Sequence, residues 1–182
     1  MPLTRAVSRP IPREDTRQRL AALAESASPE RFVALLVEEA DPLVRERALT
    51  HMVRLDGAFP ARALALLIGA DDTELRNAAI ETLGALGNRA IDALAPLLAD
   101  VRVDLRIYAL TALAQVESPS AAALALHVAL NDPDVNVCCA ALDVIASGGG
   151  RNEAARLDEV VARFPDCPYL AFAAQTSKAR IG

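Results

Sequence analysis

A short pattern of apolar residues recurs about every 31 residues, and this repetition constrains the fold more than any other feature of the chain. Four segments carry it, at 41–55, 72–86, 103–116 and 132–146. Their reference residues, spaced 31, 30 and 32 residues apart, are Val44, Leu75, Leu105 and Val137. Val135 offers a second register for the last segment, and a weaker fifth copy begins at Asp166. Repetition at this period is typical of stacked supersecondary units, each of which needs its neighbours to complete a core.

The spacing within each copy predicts a helix. In the second copy the apolar residues are Leu75, Ala79, Ile80, Leu83 and Leu86, which form one stripe of a helix and show no period of two. A capping side chain stands before a proline at four predicted starts, which are Ser28-Pro29, Asp41-Pro42, Ser118-Pro119 and Asp132-Pro133. Further helices are predicted at about 14–25, 29–39, 60–68, 88–98, 119–130 and 151–163, with glycine stops at Gly69, Gly87 and Gly148–Gly150.

The composition agrees with a helical fold. Hydrophobic residues make up 53% of the 182 residues but aromatic residues only 3%, and Ala and Leu carry most of the apolar content. Both are strong helix formers, whereas strands favour β-branched and aromatic side chains. The sequence therefore predicts an all-α chain with a flexible N-terminal arm at 1–13 and one domain at 14–182, whose first helix is a polar cap.

The repeated pattern D-x-x-[VL]-R-x-x-A-[LI]-x-x-[LM] resembles the HEAT repeat, especially the short bacterial form of phycobilisome-lyase-like proteins. The resemblance covers residues from about 28 to 178. It implies a right-handed α-solenoid of about five HEAT-like helix pairs, with first helices on the convex side and second helices lining a concave surface.

Charged residues recur at fixed positions of the repeat. An acidic residue near the helix start precedes an arginine in three copies, as Asp41 and Arg45, Asp72 and Arg76, and Asp104 and Arg106. The resemblance implies that each arginine braces the aspartate of a neighbouring repeat, a role that suits a planar, permanently charged fork. A basic ladder for phosphate is the alternative. The fourth copy has Asn136 or Cys138 at this position, so we expect the ladder to weaken there.

No catalytic or metal-binding motif is recognisable. His51 and His127 belong to different helices and to no HExxH pattern, and the chain lacks the His-Glu pairs of HEAT-like deoxyhypusine hydroxylases. HEAT-like alkylpurine DNA glycosylases use Trp and basic residues, whereas this chain has no Trp and a net charge of −5. The three cysteines fit neither a disulfide framework nor a metal site, so they are expected to be free thiols in a reducing cytoplasm. We therefore predict a cytoplasmic, non-enzymatic protein without metal or cofactor, in which nothing suggests a signal peptide or membrane span.

The outward face of the repeated helices is the candidate binding surface. We call it the predicted partner strip. Its residues are Glu46, Arg47, Thr50, Arg54, Asn77, Glu81, Ile107, Tyr108, Thr111, Gln115 and Asp143. The strip begins polar and becomes apolar around Ile107 and Tyr108. Tyr108 is either a binding anchor or a packing residue.

These observations favour a scaffold or adaptor that binds another protein on the concave face. Alternatives are an accessory or maturation factor for an enzyme or pigment protein, suggested by the lyase resemblance, and nucleic-acid binding through the arginines. An apolar end near Tyr169, Leu170 and Phe172 could also support a homodimer.

Overall fold

The computed structural model describes residues 13–25 and 28–182, and its regular structure there is entirely helical. The helices are α1 (Arg13–Ala24), α2 (Pro29–Glu38), α3 (Pro42–Arg54), α4 (Phe59–Leu67), α5 (Thr73–Leu86), α6 (Ile91–Leu94), α7 (Val103–Ala114), α8 (Pro119–Asn131), α9 (Val135–Gly148), α10 (Arg151–Ala155), α11 (Leu157–Ala162) and α12 (Pro168–Ile181). The predicted arm at 1–13 lies outside the described residues except for Arg13, where α1 begins. No helix of the described residues is long and apolar enough to cross a membrane.

Capping side chains start several helices as predicted. Ser28 accepts a hydrogen bond from the backbone N–H of Arg31 at the start of α2, and Asp41 accepts one from Leu43 at the start of α3. Ser118 does the same for α8. Each bond satisfies a backbone donor that has no partner within its helix.

The start predicted at Asp132-Pro133 is wrong, because Asp134 caps α9 instead. The Asp132 carboxylate is already occupied by the guanidinium of Arg106 and the backbone N–H of Asp134. The fifth copy likewise starts later than Asp166, at Pro168.

Two predicted helices are interrupted. The segment 88–98 consists of the four-residue α6 between two 3-10 turns, Gly87–Ala90 and Ala95–Ala99. Pro96 has no N–H to continue an α-helical ladder, and Gly87 ends α5 with a φ of +60°. The segment 151–163 breaks at Arg156, whose ψ is −3°.

One hydrophobic core runs from Leu23 in α1 to Ala174 in α12. The four reference residues are all buried, and Val135 is only half-buried, so Val137 gives the right register in α9. The repeated helices α3, α5, α7 and α9 contact one another in chain order, with α1 against α3 and α12 against α9. Between them, α2 contacts α4, α4 contacts α6, and α8 contacts α9.

Candidate functional site

The contact between α3 and α5 leaves a groove of about 490 Å³, which we call the α3–α5 groove. Its apolar side chains are Pro42, Leu49, Val53, Leu75, Ala78 and Ala85. Polar and charged side chains surround them, namely Arg45, Glu46, Thr50, Arg54, Glu74, Glu81 and Thr82. An apolar depression with a polar rim is the usual form of a surface that holds a partner.

A second depression lies on the other side of α3. This α1–α3 hollow has a volume of about 610 Å³, and it is lined by apolar residues of α1, α2 and α3 together with Phe59. Glu46, Thr50 and Arg54 line both depressions. The exposed face of α3 is therefore a polar ridge between two apolar depressions.

The structure brings some residues of the predicted partner strip together and leaves others apart. Four of them line the α3–α5 groove, namely Glu46, Thr50, Arg54 and Glu81. Arg47 lines the α1–α3 hollow. Asn77 on α5, Thr111 on α7, Gln115 directly after α7 and Asp143 on α9 are exposed but line neither depression. The partner-binding role of these residues remains a prediction.

Ile107 and Tyr108 are less exposed than the outward position predicted for Ile107 implies, and for Tyr108 the structure favours the packing alternative. Both are half-buried and pack against the core. The Arg76 guanidinium carbon lies 4.7 Å from the centre of the Tyr108 ring, a distance at which a cation–π contact is favourable. Tyr108 therefore helps to join α5 to α7.

The predicted aspartate–arginine ladder forms at two of its arginines. Arg45 Nη1 donates to Asp72 at 2.8 Å, and the guanidinium of Arg106 donates to both carboxylate oxygens of Asp132 at 2.7 and 3.0 Å. In each case the aspartate precedes the next repeated helix. The alternative of a free phosphate ladder is therefore weakened, because these guanidinium groups are already occupied.

Arg76 and Asp104 depart from the predicted ladder. Arg76 donates to the carbonyl of Ala70 and to the hydroxyl of Thr73. The residue that precedes α7 as its N-cap is Arg102, so the position that would face Arg76 carries a cation instead of an aspartate. Asp104 stands two residues further along and is exposed.

Two arginines that the sequence did not single out also join segments of the described chain, one in α1 and one after α11. Arg19 in α1 donates to Glu39 at 2.8 Å and to Asp41 at 3.5 Å. The pattern D-x-x-x-R-x-x-A-L at 15–23 matches the first part of the repeat except that Gln18 stands at its Val or Leu position, and it could have revealed Arg19. At the other end, Arg163 donates to the carbonyls of Ala129 and Asp132, beside Cys138. Nothing in the repeat pattern signals Arg163, because it comes from the segment after α11.

The thiols and histidines form no recognisable reactive centre. All three cysteines are free, and burial raises the pKa of Cys138 and raises that of Cys139 to about 11. Both thiols are therefore protonated at neutral pH, which makes them poor nucleophiles. Across residues 13–25 and 28–182, no group of three or more His, Cys, Asp and Glu side chains is placed to hold a metal ion.

No family model matches the chain, and no curated protein matches it. Among solved structures, the chain is similar to the crystal structure of an engineered protein, a target of the Northeast Structural Genomics Consortium. The sequence identity is 15% and the TM-score 0.42, with 92% of this chain and 89% of that chain covered. A likeness at this level carries no argument about fold or function.

Proposed function

We propose that the chain is a HEAT-type α-solenoid that acts as a scaffold or adaptor, without catalysing a reaction. The repeat pattern and the chain-order contacts of α3, α5, α7 and α9 support the architecture. In such an arrangement the second helices form one continuous surface.

The observation that carries the binding function is the α3–α5 groove. It collects exposed charged side chains of two successive repeats, Glu46 and Arg54 from α3 and Glu81 from α5, around apolar residues. Such a surface offers contact area to apolar side chains and directional contacts to polar ones, which suits a protein partner.

Filling the groove tests this function. Ala85 is exposed on α5 and lines the groove, so Ala85→Trp should obstruct it without changing the charge. Ala123→Trp places the same side chain on an exposed position of α8. In affinity capture from the native cell, we expect a partner retained by the parent protein and by Ala123→Trp, and lost with Ala85→Trp.

Circular dichroism must show equal helix content in the three proteins for the comparison to hold. Equal capture by both Trp variants would contradict a binding role for the groove. Capture of an enzyme or pigment protein through the groove would favour the accessory-factor alternative over a general scaffold.

A further inference from the structure

The rim of the α3–α5 groove carries an excess of negative charge. Glu46, Glu74 and Glu81 are all exposed and line it from both helices. Within the described part of the chain, none of the three takes part in a salt bridge. Their carboxylates are therefore available to a molecule in the groove.

The cations of the groove offset only part of this charge. The guanidinium of Arg45 donates to the Asp72 carboxylate and to the carbonyl of Val37, and the charge of Asp72 neutralises that of Arg45. Arg54 is the other cationic residue of the lining and is exposed. Arg89 adds a second cation beside the groove, because it donates to the carbonyl of Val53 at 3.0 Å and has no carboxylate partner among the described residues. Three unpaired carboxylates thus face two guanidinium groups, and the rim keeps an excess of negative charge.

We infer that the occupant of the α3–α5 groove is a basic segment of a partner protein. Its apolar side chains lie on Leu49, Val53 and Ala78, and flanking Lys or Arg side chains face the three glutamates. The inference rests on the proposed function and adds the chemistry of the partner. Opposite charges at the rim of an interface accelerate association and reject partners of like charge. A second copy of this chain, with a net charge of −5, is a poor match.

Selection from a random-peptide display library on the full chain tests the inference. We expect the enriched peptides to combine apolar residues with Lys or Arg, to carry net positive charge, and to lose binding to Ala85→Trp. Neutral or acidic peptides that bind the parent protein but not Ala85→Trp would overturn the inference of a basic partner segment. The proposed function of the groove would then still stand. No enrichment, or peptides indifferent to Ala85→Trp, would count against both.

Charge reversal then measures the contribution of the rim. For a selected peptide, Glu81→Lys should raise the Kd by about tenfold at low salt, with a smaller effect at high salt. The matched control is Asp92→Lys, an exposed change of the same charge on α6 outside the groove, which should alter the Kd by less than about twofold. Equal effects of the two substitutions would mean that the peptide senses only the net charge, which overturns the inference. Self-association abolished by Ala85→Trp would make a second copy the occupant and would also overturn it.

Discussion

At the scale of single residues, the ion pairs of this chain differ chiefly in burial. The side chains of Arg106 and Asp132 are 10% and 7% exposed, whereas those of Arg102 and Asp100 are 62% and 25% exposed. Removing one partner of a buried pair leaves an uncompensated charge, while an exposed ion is rehydrated by water. Geometrically similar pairs should therefore differ widely in their effect on stability.

Arg106→Met should lower the free energy of unfolding by about 3 kcal/mol, because the Asp132 carboxylate would remain buried without its guanidinium partner. Arg102→Met should cost less than about 1 kcal/mol. Urea denaturation followed by circular dichroism measures both. Equal losses would show that burial of the Arg106–Asp132 pair has no energetic consequence.

Asp72 makes part of the free energy of unfolding dependent on pH. The backbone N–H of Leu75 lowers the pKa of its carboxyl below the ordinary value of 3.8, and the Arg45 side chain lowers it further. Folding therefore favours the ionised Asp72 carboxylate. Its contribution to stability is complete above the ordinary pKa of an aspartate, and it is lost as the pH falls through the lower pKa of the folded protein.

Asp72→Asn keeps a capping side chain and removes the charge that faces Arg45. We expect a lower Tm than that of the parent protein at neutral pH, with the difference shrinking as the pH is taken below about 3.8. Thermal melts across this pH range measure it, with the exposed neighbour change Asp71→Asn as the charge-matched control. A Tm difference that persists unchanged at acid pH would refute the role of the ionised carboxylate.

At the scale of elements, α8 and α9 approach each other closely where α9 ends. A Cβ atom added to Gly148 would lie 2.6 Å from both the backbone N and the backbone O of Ser118, the residue that caps α8. Backbone atoms at a buried helix start cannot move aside as a flexible side chain can. Gly148 is therefore required for this contact and not only as a helix stop.

Gly148→Ala should destabilise the protein by about 1–3 kcal/mol, because the two helices must separate to admit the methyl group. Gly69→Ala is the control, since its added Cβ meets its nearest atoms at 3.7 and 3.8 Å, an ordinary contact. Its effect should stay within about 1 kcal/mol. Chemical denaturation compares the two variants, and a neutral Gly148→Ala would contradict the close approach.

The helices themselves were largely predictable at this scale, but the start of α9 was not. The starts at Pro29, Pro42 and Pro119 depend on a capping residue directly followed by a proline, so they can be found from the sequence. The start of α9 depends on Arg106, which is 26 residues away from Asp132, and no local pattern contains that information.

At the scale of the whole molecule, burial is uneven from one end to the other. Among the described side chains of α1 only Leu23 is buried, whereas α7 buries six residues between contacts with α5 and α9. Regions with few buried contacts open more readily than the core of a protein.

Amide hydrogen exchange should therefore be faster in α1 than in α7 and α9, by about tenfold for each 1.4 kcal/mol of difference in opening free energy. Peptide-resolved mass spectrometry under native conditions measures this gradient. Uniform protection from α1 to α9 would show instead that the described helices open together in one cooperative step.

The helical class, the register of the first three copies of the repeat and most helix starts follow from the sequence alone, because these depend on apolar spacing and on capping residues close by in the chain. The buried state of Val44, Leu75 and Leu105 was predictable for the same reason, whereas the choice of Val137 over Val135 came from the structure. The α3–α5 groove, the half-buried state of Tyr108 and the place of Arg163 beside Cys138 could not be read from any one segment of the sequence. Each of these depends on how near a neighbouring helix stands and which of its side chains faces inward. Residues far apart in the chain set that distance jointly, so no single segment specifies it.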